Sequence, residues 1–126
     1  MEVKEMSVLV CDDSILSRKK LIDSLKELGC TNITEAVDGE DVVKKYIENQ
    51  TTIVFLDIVM PKKDGIDALK EILDFDSDAK VIMASSVGTQ SYLKEAIQAG
   101  AKDFLQKPMD KEQLKKIITN VIIGRI

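Results

Sequence analysis

Three aspartates carry the first chemical signal in this chain. Asp57 closes the apolar run Thr52-Ile53-Val54-Phe55-Leu56, and a second run, Ser7-Val8-Leu9-Val10-Cys11, stops on the pair Asp12-Asp13. Carboxylates drawn together at the ends of buried strands repel one another unless a cation neutralises them, and a hard divalent ion with oxygen ligands suits such a cluster. Mg²⁺ fits better than Ca²⁺, because it keeps several waters and needs only one or two protein carboxylates plus a substrate phosphate. A carboxylate on the floor of such a cleft can attack phosphorus to give an acyl phosphate, with the metal offsetting the repulsion between two anions.

Two further residue types complete that chemistry. Ser85 offers a hydroxyl donor and Lys107 a compact ammonium, the groups a bound phosphoryl oxygen needs. Pro108 restricts the conformation of Lys107 and so helps to aim its side chain. Taken singly, each residue has a plain structural reading: Asp-Asp-Ser as a helix cap, Asp57 and Ser85 as strand ends, Lys107 as a solvated surface charge, Phe104 as a ring partly buried against a helix.

The elements that would bring these residues together are legible in the hydrophobic period, which switches five times between a short apolar run and helical spacing. The expected strands are 7–11, 32–36, 52–56, 80–84 and 103–106. Ser14 is expected to cap a helix with the stripe Ile15, Ile22, Leu25 and Leu28, ending at Gly29. Later helices carry Val42, Val43, Tyr46 and Ile47; Ile66, Leu69, Ile72 and Leu73; Leu93, Ala96 and Ile97; and Leu114, Ile117, Ile118, Val121 and Ile122. The run Asn32-Ile33-Thr34-Glu35-Ala36 is the most polar and belongs at a sheet edge.

Repeated βα units with right-handed crossovers give an α/β fold: one doubly wound, five-stranded parallel sheet with helices on both faces. All strands then end on one rim, where Asp12, Asp13, Asp57, Ser85 and Lys107 converge and where open α/β sheets bind ligands. One domain spanning 1–126, with a structured core of about 6–122, accounts for the length.

Composition narrows the function. With 18 basic and 22 acidic residues the net charge is −4, which gives no general attraction to nucleic acid or anionic lipid. No apolar stretch approaches a membrane span, and the acidic start Met1-Glu2-Val3-Lys4-Glu5 lacks the layout of a signal peptide, so a cytoplasmic location is expected. Histidine is absent, which removes the Ser/His/Asp triad, the Cys/His pair and the commonest zinc ligand. Cys11 and Cys30 match no metal or redox spacing and are expected as reduced thiols.

Nearly the whole chain resembles a bacterial response-regulator receiver domain of the CheY-like type. The resemblance rests on Asp12-Asp13-Ser14, on Asp57-Ile58-Val59-Met60-Pro61 with Gly65 four residues after the proline, on Ser85, on Ala99-Gly100-Ala101, and on Phe104 three residues before Lys107-Pro108. It implies the flavodoxin-like strand order 2-1-3-4-5 and makes Asp57 the acceptor of a phosphoryl group from a sensor histidine kinase or a histidine phosphotransfer protein. It further implies Mg²⁺ held by Asp12, Asp13, Asp57 and the backbone carbonyl of Val59. Ser85 and Phe104 would be a switch pair, and Lys107, ahead of a cis peptide bond, would meet the phosphoryl group.

Such a domain assists its own phosphorylation and dephosphorylation without being a turnover enzyme. Its state is read at the face of the fourth helix, fifth strand and fifth helix, by a downstream protein or by a C-terminal output domain of a longer chain, as a monomer or a phosphorylation-linked dimer. Against the family it resembles, this chain has Val59 and Val87 at positions where other members carry polar groups that position attacking water, so slow self-dephosphorylation is expected; Met109 replaces a frequent phenylalanine.

Three alternatives stay open at this level. A haloacid-dehalogenase-like phosphatase also uses a strand-ending aspartate with Mg²⁺, but needs a second aspartate where this chain has Val59. A flavin-binding flavodoxin would need a phosphate cradle where Asp12-Asp13 repels phosphate. An interaction domain that accepts no phosphate is the third.

Overall fold

Alternate residues of the central strands face opposite layers, and the sequence supplies apolar side chains for both. The computed structural model describes residues 1–126 apart from the side chain of Val87, so the expectation attached to that side chain lies outside the described residues. The strands are β1 (Ser7–Cys11), β2 (Asn32–Ala36), β3 (Ile53–Asp57), β4 (Val81–Ser85) and β5 (Asp103–Gln106). They alternate with helices α1 (Ile15–Glu27), α2 (Gly39–Glu48), α3 (Gly65–Phe75), α4 (Leu93–Ala99) and α5 (Lys111–Ile122), and 3₁₀ turns occupy Val3–Glu5 and Val87–Tyr92.

The five strands form one parallel sheet in the order β2-β1-β3-β4-β5, as expected. Val8 and Val10 of β1, Ile53 and Phe55 of β3, Ile82 and Leu105 pack beneath α1 and α5, through Leu25, Leu114 and Ile118 among others. The residues between them, Leu9, Cys11, Val54, Leu56, Val81 and Met83, face α2, α3 and α4, meeting Val42, Tyr46, Leu69, Ile72 and Ala96. A strand covered on both faces has no solvent side, which is why β1, β3 and β4 read as unbroken apolar runs. The polar β2 lies at an edge, where Glu35 pairs with Arg18.

The helix stripes differ from expectation at their ends. Ile15 is 74% exposed, and Ile47 and Ile97 are also exposed, whereas Leu21 is buried. Ile15 opens α1 on the rim, past the end of β1, where no strand lies beneath it to cover the side chain.

Candidate functional site

The loops that follow β1, β3, β4 and β5 meet at one rim, and helix caps fix their geometry. Ser14 caps α1 by accepting from Ser17 N, and Asp12 Oδ1 accepts from Ser14 N at 2.9 Å. The cap is therefore the serine, as expected, and both aspartates keep carboxylate oxygens directed elsewhere. Asp57 is itself the last residue of β3, one position further into the strand than its apolar run indicated, and Ser85 likewise closes β4. Lys107 follows β5 directly, and its bond to Pro108 is cis.

Asp12, Asp13 and Asp57 each present a carboxylate oxygen, and the three lie within 4.8 Å of one another. Asp12 is buried, Asp57 half-buried and Asp13 exposed, so the group opens to solvent on one side. Lys107 enters from the opposite end of the sequence. Its Nζ donates to Asp12 Oδ2 at 2.7 Å and to Asp57 Oδ2 at 3.2 Å.

The electrostatics follow these distances. Burial pushes the Asp57 carboxyl above its ordinary range; Lys107 opposes the shift and the neighbouring Asp12 charge adds to it. Burial acts on Asp12 too, but there the hydrogen bond from Lys107, with those from Ser17 and Ser14, prevails and holds the carboxyl below its usual value. Burial alone would lower Lys107, yet the Asp12 hydrogen bond and the two carboxylate charges raise it. The shorter contact thus goes with the stronger pairing: Lys107 neutralises Asp12 and leaves Asp57 an under-compensated anion.

That donor set fits a hard divalent cation. It consists of oxygens alone, and a single ammonium bridges two of the three carboxylates. Cys11 lies next to the cluster in sequence, but burial, followed by the charges of Asp38, Asp41, Asp12 and Asp57, holds its thiol far above the usual range. It is a protonated donor that contacts the Asp38 carbonyl and, at 3.2 Å, Met60 Sδ; both cysteines are free thiols.

The β3–α3 loop that carries Val59 is pinned by close packing. Gly65 N donates to Ile58 O at 2.6 Å, and a Cβ on Gly65 would overlap the Asp57 carbonyl. A Cβ on Gly39 would overlap the carbonyl of Lys63 in the same loop. The Val59 side chain, by contrast, is 57% exposed.

Ser85 is brought to the rim, but its hydroxyl faces its own loop. It is fully buried, donates to Ser86 O at 3.2 Å and lies 3.3 Å from Thr89 Oγ1. Phe104 lies on the edge strand β5 and is 36% exposed, a partial burial. Thr89 was not legible in the sequence as part of this group, because a threonine in a short loop gives no sign of burial until the loop is folded.

Beside the carboxylates, an apolar groove of about 210 Å³ runs between α1 and residues 107–109, lined by Leu16, Leu21, Leu105, Pro108 and Met109 among others. Leu16 lines it while standing exposed, and Ile15, its neighbour in sequence, is exposed as well. No helix of the described residues is long and apolar enough to cross a membrane.

Comparison with known proteins gives a consistent result. Residues 8–119 match the family model described as response regulator receiver domain. The chemotaxis protein CheY of Bacillus subtilis is 41% identical over 115 residues, covering 91% of this chain and 96% of that protein. CheY of Thermotoga maritima is likewise 41% identical, covering 90% and 95%. Among solved structures, the CheX–CheY–BeF₃–Mg²⁺ complex of Borrelia burgdorferi includes a chain that superposes with a TM-score of 0.86 at 39% identity, covering 93% of this chain and 89% of that one. Family model, relatives and fold agree with the acidic rim, and the chain belongs to the response-regulator receiver family as a CheY-like member of the two-component signalling proteins.

Proposed function

We propose that Asp57 accepts a phosphoryl group from a phosphohistidine on a sensor kinase or a histidine phosphotransfer protein. The observation that carries this reading is the bridging of Asp12 and Asp57 by Lys107 within a trio of converging carboxylates. Receiver domains in general bind Mg²⁺ at an acidic pocket, and here Asp12, Asp13, Asp57 and the Val59 backbone carbonyl would hold it. When bound, the metal supplies charge neutralisation between the incoming phosphoryl oxygens and the carboxylates.

The chain's own residues account for the rest. An Asp57 carboxylate oxygen attacks phosphorus, the P–N bond to the donor imidazole breaks, and its electron pair returns to the ring nitrogen. Of the two carboxylates bridged by Lys107, Asp57 is the less compensated and so the better nucleophile, while Asp12 remains paired. The Lys107 ammonium would then pair with a phosphoryl oxygen, and the Ser85 hydroxyl would turn from Ser86 to a second one. Receiver proteins signal and do not in general turn over substrate. A phosphatase reading finds no proton donor at Val59, an exposed apolar side chain that also offers nothing to orient attacking water.

The donor is a protein. Ile15 and Leu16 expose apolar surface at the start of α1, Leu16 within the groove that Asp12 and Lys107 also line, and an approaching helix-borne histidine would dock there. Output is read at the α4–β5–α5 face, which carries the exposed apolar side chains Tyr92, Ile97 and Phe104, by a cytoplasmic partner or an output domain. The homologous Borrelia burgdorferi chain is found in a complex with CheX, so a protein of that kind is one such partner. The test is phosphotransfer from a ³²P-labelled histidine kinase in Mg²⁺. Label on this chain, absent in Asp57→Asn, supports the reading, and label retained in that variant contradicts it.

A further inference from the structure

Thr89 occupies an unusual place for a hydroxyl. It lies in the 3₁₀ turn Val87–Tyr92 and is only 8% exposed. Its Oγ1 accepts from Ser86 N at 2.9 Å, donates to Ser86 O at 3.2 Å, and lies 3.3 Å from Ser85 Oγ. Ser85, in turn, is fully buried, and its single hydroxyl proton has two acceptors in the loop, Ser86 O at 3.2 Å and Thr89 Oγ1 at 3.3 Å, of which it can serve one at a time. With the Thr89 proton given to Ser86 O, Thr89 Oγ1 is free to accept from Ser85, and a Ser85 proton donated there is not available to a phosphoryl oxygen on Asp57.

We propose that Thr89 is a latch: a positioning residue that holds the Ser85 hydroxyl in the loop and thereby sets how readily it is recruited to phosphorylated Asp57. The latch rests on the proposed function, in which Ser85 turns toward the phosphoryl group. A ligand shifts a two-state equilibrium only by its differential interaction with the two states, and contacts made in one state alone oppose it. Thr89 makes such a contact. It stabilises the loop-bound position of Ser85 through Oγ1 and fixes the turn through the Ser86 backbone, so the side chain that organises the loop also restrains the switch.

A net hydroxyl hydrogen bond of ordinary strength corresponds to about a two- to tenfold change in such an equilibrium. Thr89→Val, which keeps the shape and removes the oxygen, is therefore expected to tighten binding of a phosphoryl analogue by about that factor. Thr89→Ser, which keeps the oxygen, is expected to stay near the parent value.

The experiment is a double-mutant cycle with Ser85→Ala, in which beryllofluoride binding at saturating Mg²⁺ is titrated by ¹⁹F NMR on the full chain. Thr89→Ala runs through the same cycle as a second variant, so that poor folding of one valine variant does not decide the outcome. The latch requires Ser85→Ala to weaken binding, the Thr89 variants to tighten it, and their effect to vanish in the Ser85→Ala background. If the Thr89 variants tighten binding equally in both backgrounds, a loosened turn is the cause and the latch is overturned. If Ser85→Ala weakens binding while the Thr89 variants change nothing, the latch is overturned and the proposed function stands. If Ser85→Ala itself has no effect, recruitment of Ser85 is wrong, and the latch falls with it.

Discussion

Lys107 Nζ lies 2.7 Å from Asp12 Oδ2, half an ångström nearer than the 3.2 Å that separates it from Asp57 Oδ2. The lysine therefore competes with any cation for two carboxylates while it compensates one of them better than the other. Lys107→Met removes the competitor and the phosphoryl contact together. Calorimetric titration should show Mg²⁺ binding about three- to tenfold tighter, because one positive charge a few ångströms from the ion has gone. Uptake of phosphoryl groups should fall by at least about tenfold, since a preorganised charge at the transferred group is lost. Parallel changes in the two quantities would show that Lys107 does not serve both roles.

Asp57 pays for its position with stability, in a direction its environment fixes. Burial raises its carboxyl above the unfolded value, so the folded state disfavours the ionised form, and the penalty is complete once the pH exceeds that raised value. Without Mg²⁺, Asp57→Asn should raise the melting temperature by about 2–5 °C at neutral pH. The gain should shrink as the pH falls from the raised value toward the ordinary carboxylate range, because the parent side chain is then protonated in both states. Thermal unfolding followed by circular dichroism across that window checks the sign, and a gain that grows on acidification would contradict it.

Gly65 lies against the Asp57 main chain, where an added Cβ would overlap the Asp57 carbonyl and come within 2.8 Å of Ile58 Cα. Gly65→Ala should cost about 1–3 kcal/mol, the usual range for overpacking a tight site, and weaken Mg²⁺ binding by displacing the loop that carries Val59. Gly88 has no heavy atom within 4 Å of the same added carbon, so Gly88→Ala should lie within about 0.5 kcal/mol of the parent. Urea unfolding of the two variants makes the comparison.

Ile15 and Leu16 distinguish a protein donor from a small one. Replacing both with glutamate leaves the carboxylates and Lys107 in place but charges the exposed apolar start of α1, where Leu16 lines the groove. Phosphotransfer from a histidine kinase should slow by about tenfold or more, as expected for loss of a central apolar anchor, while uptake from a small acyl phosphate should keep its rate. Equal slowing with both donors would place the effect in the chemistry and not in docking.

The fold and the acidic trio were legible because both follow from local pattern. Apolar runs ending on Asp12 and Asp57, separated by helical spacing, leave little choice for a chain of alternating units, and the mixed run at 32–36 marked its own edge position. Departures occur where burial depends on what lies beneath. Ile15 continues the periodicity of α1 but projects past the end of β1, so its period predicted a cover that does not exist. The strands end at Asp57 and Ser85, one residue beyond their apolar runs, because a polar residue closes such a run while the backbone ladder continues through it to Ala84 and Gln106. The segment after Ser85 carries no apolar period of its own. It forms a 3₁₀ turn organised by hydrogen bonds between Ser86 and Thr89, which no composition rule reveals.

The proposed function places a transient phosphoryl group on Asp57, within an acidic rim that would bind Mg²⁺. Intact-mass measurement after incubation with Mg²⁺ and a small acyl phosphate tests it most directly. The account predicts one added phosphoryl group per chain, dependent on Mg²⁺ and absent in Asp57→Asn. An unchanged mass in the parent, or the same gain in the Asp57→Asn variant, would contradict it.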